Sequence, residues 1–254
     1  MICYHNGNYI DEDTIKLGVS SPAFQYGYGI FTSLRTKDGQ AKLLSKHLER
    51  LESSSSLIGI DYPEINFGEI IEKLVKLNDN PNLRIKIIIH EESYQQSGVL
   101  VLASQLNLYP KPIKLTLISK NYEANSLRKI KSLNYLENVY LHRRALNEGF
   151  DEGLLVNSQN LICECCYANI FFIKEGRIHT PKADNNNILN GIIRQEIIKQ
   201  NTVIERDIFL DELPSFEDAF ITNSVQGIVY IEQIDELKYS SELDPPRQKV
   251  HFLY

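Results

Sequence analysis

The 254-residue chain has no apolar run long enough to span a bilayer, which takes about 20 residues, and no basic leader at its start. MICYHNGNYIDED therefore reads as the opening of a cytosolic protein, neither exported nor membrane-bound. Positive charge is also in short supply. Lys and Arg number 27 against 33 Asp and Glu, for a formal charge of −6 and a pI near 5.6, and no basic stripe interrupts the pattern. Nucleic acid is a poor match for such a surface, and a small-molecule partner is expected instead. Cysteine is scarce: Cys3 stands alone, while Cys163, Cys165 and Cys166 crowd one stretch with no second cluster or His pair at metal spacing. The four read as reduced, buried, small apolar side chains, and a CxCC metal or redox site is the alternative. Internal repeats are absent, and the asparagine run at 185–187 is too short to count as low complexity.

What is present is a mixture of strand and helix patterns on a length that suits one large domain or two modest ones. The first hundred residues pattern as an α+β unit. Asn6-Gly7 marks a hairpin, and Asp38-Gly39 turns GIFTSLRTK into QAKLL. A helix follows, with Ser45 as its N-cap and Leu44, Leu48, Leu51 and Leu57 at helical spacing. A second helix over FGEIIEKLVKLND leads to strands LRIKIIIH and GVLVLAS, joined by EESYQQS as a loop. The prolines of NLYPKPIKL mark a linker, so the expected domains are 1–108 and 109–254. Past it come strand IKLTLISK, helix SLNYLENVYLHRRALNEG ended by Gly149, and strands GLLVNS and LICECCYANIFFIK. A Glu175-Gly176 turn, helix NGIIRQEIIKQ, strands TVIERDI and DAFITNS, and a charged tail with Pro245-Pro246 complete the chain.

Lys131 stands next to the start of an amphipathic helix whose apolar side includes Leu133, Leu136 and Tyr140. Near a first turn the helix dipole disfavours positive charge and burial lowers an ammonium's pKa, so both favour a neutral, nucleophilic amine. A solvated lysine at a helix end fits the same letters. Glu164, between Cys163 and Cys165, is costly to bury without a partner; it could keep a proton on a heteroaromatic nitrogen, or simply face outward on a half-buried strand. NGIIRQEII offers the amides of Ile192 and Ile193 at a helix start, an anion site. ITNSV adds hydroxyls on Thr222 and Ser224, and Arg50 in KHLERL adds a bidentate cation. Each of these last three is also ordinary loop or surface chemistry.

Taken in order, these elements resemble the fold-type IV pyridoxal-phosphate enzymes: branched-chain aminotransferases, D-amino acid aminotransferases and 4-amino-4-deoxychorismate lyases. YGYGIFTSLR is similar to their YGDGVFETLR element, KHLERL to HxxRL, KSLNYLENV to the lysine helix, ECCYANIFF to ExxxxN(I/L)F and NGIIR to GI(T/M)R. The resemblance implies a mixed α+β and α/β two-domain fold, with a small N-terminal α+β domain and a larger β-rich C-terminal one. It also implies pyridoxal 5'-phosphate as cofactor and a homodimer acting on an amino-bearing carboxylic acid. Lys131 becomes the Schiff-base lysine and proton shuttle, and Glu164 the partner of the pyridine nitrogen. Arg50, Ile192, Ile193 and Thr222 fall where the family binds phosphate, Tyr135 falls where branched-chain aminotransferases, unlike other members, place a tyrosine near the cofactor's phenolic oxygen, and Asn169 supports the ring. Within the family, Thr32 in FTSLR, the ECCYAN string and NGIIRQ are closer to the lyases, which release pyruvate and 4-aminobenzoate in folate biosynthesis; Thr32 then helps orient the proton exchange. KSLN is equally similar to D-amino acid aminotransferases, the alternative. Tyr28 departs from the Asp of YGDG, and His90-Glu91 from an Arg-Gly pair of the lyases.

Overall fold

The computed structural model describes residues 1–109, 112–119, 126–183 and 188–239. By its internal packing the chain divides into two compact units: Met1–Asn107 together with Ile130–Asn134, and the remainder.

In the first unit β1 (Ile2–His5) and β2 (Asn8–Asp11) close around Asn6-Gly7, both at positive φ, the backbone shape that a two-residue hairpin demands. A short helix α1 (Pro22–Tyr26) precedes β3 (Gly29–Lys37), which turns at Asp38-Gly39 into β4 (Gln40–Ala41). Helices α2 (Leu44–Ile58) and α3 (Phe67–Leu77) lead to β5 (Leu83–Ser93) and β6 (Gln96–Gln105). The six strands run in the order β2-β1-β6-β5-β3-β4, antiparallel throughout. Leu34, Leu51, Phe67, Leu74, Ile85, Ile87 and Val101 are buried between sheet and helices.

Three details differ from the sequence reading. Helix α2 begins one residue before Ser45, and its N-cap is Leu43 in the left-handed region (φ 52°) with no side-chain cap. Its buried stripe is His47, Leu51 and Ser55, one residue per turn on a single face, which leaves Leu57 off that face and 68% exposed. EESYQQS is no open loop: β5 and β6 stay paired to Ser93 and Gln96, and Tyr94-Gln95 alone makes the turn.

The second unit holds β7 (Ile113–Ser119), α4 (Leu136–Asn147), β8 (Glu152–Val156), β9 (Ile162–Cys165), β10 (Asn169–Lys174) and β11 (Arg177–Pro181). After them come α5 (Ile192–Gln200), β12 (Val203–Arg206), β13 (Asp218–Asn223), β14 (Gly227–Ile234) and β15 (Leu237–Lys238). Its mixed sheet runs β12-β11-β10-β13-β14-β7-β8-β9, with β15 paired to β14. Phe172, Phe216, Ala219, Ile221 and Val229 lie in its main core.

LICECCYANIFFIK is two strands, because the chain bends at 166–168 between β9 and β10. Helix α4 starts at Leu136, later than expected, and buries Leu141 and Ala145; Leu136 and Tyr140 are exposed. Strand β14 is absent from the sequence reading, although IVYI is rich in β-branched and aromatic residues and its buried positions alternate. Of the two prolines in NLYPKPIKL only Pro112 falls among the described residues; the asparagine run and Pro245-Pro246 lie outside them. No described helix is long and apolar enough to cross a membrane.

Candidate active site

Lys131 stands in extended chain, ahead of α4 and not within it. Phe31 N donates to Lys131 O at 2.8 Å, Leu133 N donates to Gly29 O at 2.9 Å, and Ile30 bridges Ser132. Pairing with β3 therefore fixes the lysine's backbone, and the helix-dipole argument no longer applies to it. Its Nζ lies 4.8 Å from the centre of the Phe31 ring, within cation–π range. Gly29 makes the close approach possible: a Cβ there would meet Leu133 Cδ1 at 2.7 Å and His90 Cβ at 2.9 Å.

Thr32, further along β3, is fully buried. Its hydroxyl accepts from Arg50 Nη2 at 2.6 Å and lies 2.5 Å from His47 Nδ1. Burial, and then the charges of Arg50 and Lys131, push the His47 pKa down to about 3. The imidazole is therefore neutral, and Thr32 Oγ1 shares a hydrogen bond with its Nδ1 while accepting from Arg50. Thr32 thus holds Arg50 on one side and His47 on the other. His47 escaped the sequence reading, although it stands in KHLERL one turn before Arg50, on the helix's buried stripe.

In the second unit Asn169 gathers the other candidates. Its Nδ2 donates to Glu164 Oε2 at 3.2 Å and to Leu189 O at 2.8 Å, and Leu189 N donates to the same carboxylate oxygen at 3.2 Å. Glu164 is half-buried, against buried Cys163 and Cys165 on either side. Asn169 is paired across the sheet with Thr222, so the two side chains share a face. Thr222 is 2% exposed, and its Oγ1 has no hydrogen-bond partner among the described residues. Gly191 is the N-cap of α5, with no side chain capping the helix; a Cβ on it would collide with Asn169 Oδ1. Ile192 and Ile193 open α5 with buried side chains, which leaves their backbone amides as the first-turn donors.

Tyr135 is the residue ahead of α4, and its ring stacks on that of Tyr167 with centroids 5.9 Å apart. All four cysteines are buried and none is in a disulfide. Burial raises the Cys165 and Cys166 thiols well above the usual range, so both are held as inert thiols. No group of three His, Cys, Asp or Glu that could hold a metal occurs among the described residues.

Residues 29–234 match the family model described as Amino-transferase class IV. The aminodeoxychorismate lyase of Bacillus subtilis (strain 168) is 30% identical over 99% of this chain and 92% of its own length. A D-alanine aminotransferase of Listeria monocytogenes serotype 1/2a (strain 10403S) is 28% identical over 91% of this chain and 86% of its own. Among solved structures, the branched-chain aminotransferase of Thermoproteus uzoniensis with norvaline superposes with a TM-score of 0.86 at 25% identity, covering 98% of this chain and 92% of that one.

Proposed function

The chain belongs to the class IV aminotransferase family of pyridoxal-phosphate-dependent enzymes, and on that premise we propose that it is a 4-amino-4-deoxychorismate lyase, releasing pyruvate and 4-aminobenzoate. The second unit fits the cofactor's two ends. Thr222 offers a buried hydroxyl without a partner among the described residues, and α5 a first turn behind Gly191 with no side-chain cap, the donor set that a phosphate group takes. Glu164 offers a carboxylate held in place by Asn169 and Leu189, suited to a protonated ring nitrogen.

When bound, pyridoxal phosphate supplies an electron sink for the pair left behind as a proton departs. Lys131 Nζ takes that proton from the carbon bearing the substrate's amine, and the same group, now protonated, returns one to the departing pyruvyl fragment. Glu164 would hold the ring nitrogen's proton. The Ile192 and Ile193 amides and Thr222 would hold the phosphate, the group the family resemblance also gives to Arg50; Tyr135 would serve the phenolic oxygen, and Asn169 keeps Glu164 in line. Thr32 acts on the exchange through Arg50. The enzyme works in the cytoplasm as a homodimer, in folate biosynthesis; the family resemblance supports each of these.

One observation carries the choice of lyase over aminotransferase. Position 32, where the aminotransferases usually have Glu, is a fully buried threonine locked between Arg50 and a neutral histidine, and ECCYAN agrees with it. The D-alanine aminotransferase relative and KSLN favour the second reading, amino transfer to a 2-oxo acid. Aminodeoxychorismate as sole substrate is expected to yield stoichiometric pyruvate, and Lys131→Ala to abolish both turnover and the cofactor's visible band. Absence of pyruvate, with conversion of the cofactor to its amine form by an amino acid alone, would establish the aminotransferase instead.

A further inference from the structure

Helix α4 carries a second aromatic anchor that the proposed chemistry has not used. His142 lies two turns beyond Tyr135 and therefore on the same side of the helix, at a rise of about 10.5 Å, enough to admit one ring between them. Tyr167 occupies that place. Its ring is 4.6 Å from His142, tilted by 51°, and 5.9 Å from Tyr135, inclined by only 8°.

The histidine is itself held. Its Nδ1 lies 3.2 Å from Oε1 of Glu152, and the same oxygen accepts from Gly153 N at 2.9 Å. Glu152 is fully buried, so a charged or donating partner offsets a desolvation cost that the carboxyl would otherwise bear alone. The bend that carries Tyr167 is fixed from two further sides: Asn138 Nδ2 donates to Cys166 O at 2.7 Å, and Asn223 Nδ2 to Tyr167 O at 3.3 Å. Tyr167 stands in the chain between Glu164 and Asn169, on the same bend.

We infer that His142 is a positioning residue: anchored by Glu152, it clamps Tyr167 against Tyr135 and so sets the ring that stands four residues after Lys131 in the sequence. The direction of control is from the buried carboxyl outward. Gly153 N steadies the Glu152 carboxylate, the carboxylate holds the imidazole, the imidazole holds Tyr167, and Tyr167 holds Tyr135. The inference rests on the placement of Tyr135 beside the cofactor only for its effect on catalysis; the clamp itself is a property of the protein alone.

Full-length wild type, Tyr135→Phe, His142→Ala and the double variant form a cycle that separates the two. The chain has no tryptophan, so its near-ultraviolet circular dichroism comes mainly from tyrosine and can be read before cofactor is added. The wild-type minus Tyr135→Phe difference should shrink markedly when His142 is alanine. With cofactor bound, His142→Ala should lower kcat about tenfold with KM within about twofold, and alter the circular dichroism of the visible band. Both effects should be much smaller in the Tyr135→Phe background. His142→Phe, which keeps a flat ring against Tyr167 but cannot bond Glu152, should fall between wild type and alanine and guards against loss of fold. Additive effects in the cycle, or an undiminished tyrosine difference, would overturn the clamp. A wild type with no visible band would overturn the cofactor reading and leave the tyrosine difference to decide the clamp.

Discussion

One amide, that of Asn169, bonds Glu164 Oε2 at 3.2 Å and Leu189 O at 2.8 Å, joining the carboxylate of β9 to the loop that leads into α5. Removing it should loosen both at once. Asn169→Ala is expected to lower kcat/KM by about ten- to a hundredfold and to weaken cofactor binding. Asn169→Asp should do more harm, since it sets a second acid against the first. Cofactor titration followed in the visible, beside steady-state turnover, checks both; wild-type behaviour in the alanine variant would strip Asn169 of its part.

Glu164→Gln keeps the size of the side chain and its contacts with Asn169 while removing the charge. Cofactor affinity should stay near wild type while proton abstraction slows by about two orders of magnitude, the scale seen when a group that stabilises developing charge is lost. Single-turnover rates measure this directly. Equal rates would mean that the carboxylate faces away from the ring.

Gly191 sits at φ −63°, a conformation open to any residue, so an alanine there is opposed by space and not by backbone strain. Its Cβ would collide with Asn169 Oδ1. Gly191→Ala is expected to destabilise the protein by about 1–3 kcal/mol, the usual cost of overpacking, and to weaken phosphate binding as the first turn of α5 shifts. Thermal unfolding with and without cofactor separates the two effects, and an unshifted Tm in both would refute the clash.

His47 gives the fold a pH dependence of defined sign. Its folded pKa is depressed from 6.5 to about 3, so above pH 6.5 the residue is neutral whether folded or not and its contribution is complete. Between those two values the unfolded chain binds a proton that the folded chain refuses, and stability falls with pH by up to about 1.4 kcal/mol per unit. His47→Gln should flatten that part of the profile whatever it does to stability at neutral pH. Urea midpoints at pH 7, 6 and 5 for both proteins supply the comparison; parallel profiles would contradict it.

The strand pattern of the first unit could be read closely from the letters because its turns are chemically marked: Asn6-Gly7 and Asp38-Gly39 both take positive φ in the structure. Lys131 shows why the rest could not. KSLN has a helix-like pattern, yet Phe31, Gly29 and Ile30 capture it as extended chain, and no local propensity records a strand a hundred residues away. Glu164 and Asn169 stand in one apolar string, but the bend between them, which lets the amide fold back on the carboxylate, leaves only CCYA as a trace. His47 was hidden for a different reason. A histidine on a helix looks like solvent-facing polarity until burial and Thr32 define what it does.

The membership of Ile130–Asn134 in the first unit, while the residues on either side belong to the second, bears on how this chain is made. Gly29 and Phe31 leave the ribosome long before their partners at 131 and 133, and the whole of Leu108–Lys129 is synthesised in between. The first unit cannot finish on its own account, and a fragment ending at Asn107 would present those β3 groups to solvent. Lys131 is thus placed by the event that completes the first unit, so its backbone acquires a fixed position only once the chain has been made through Leu133.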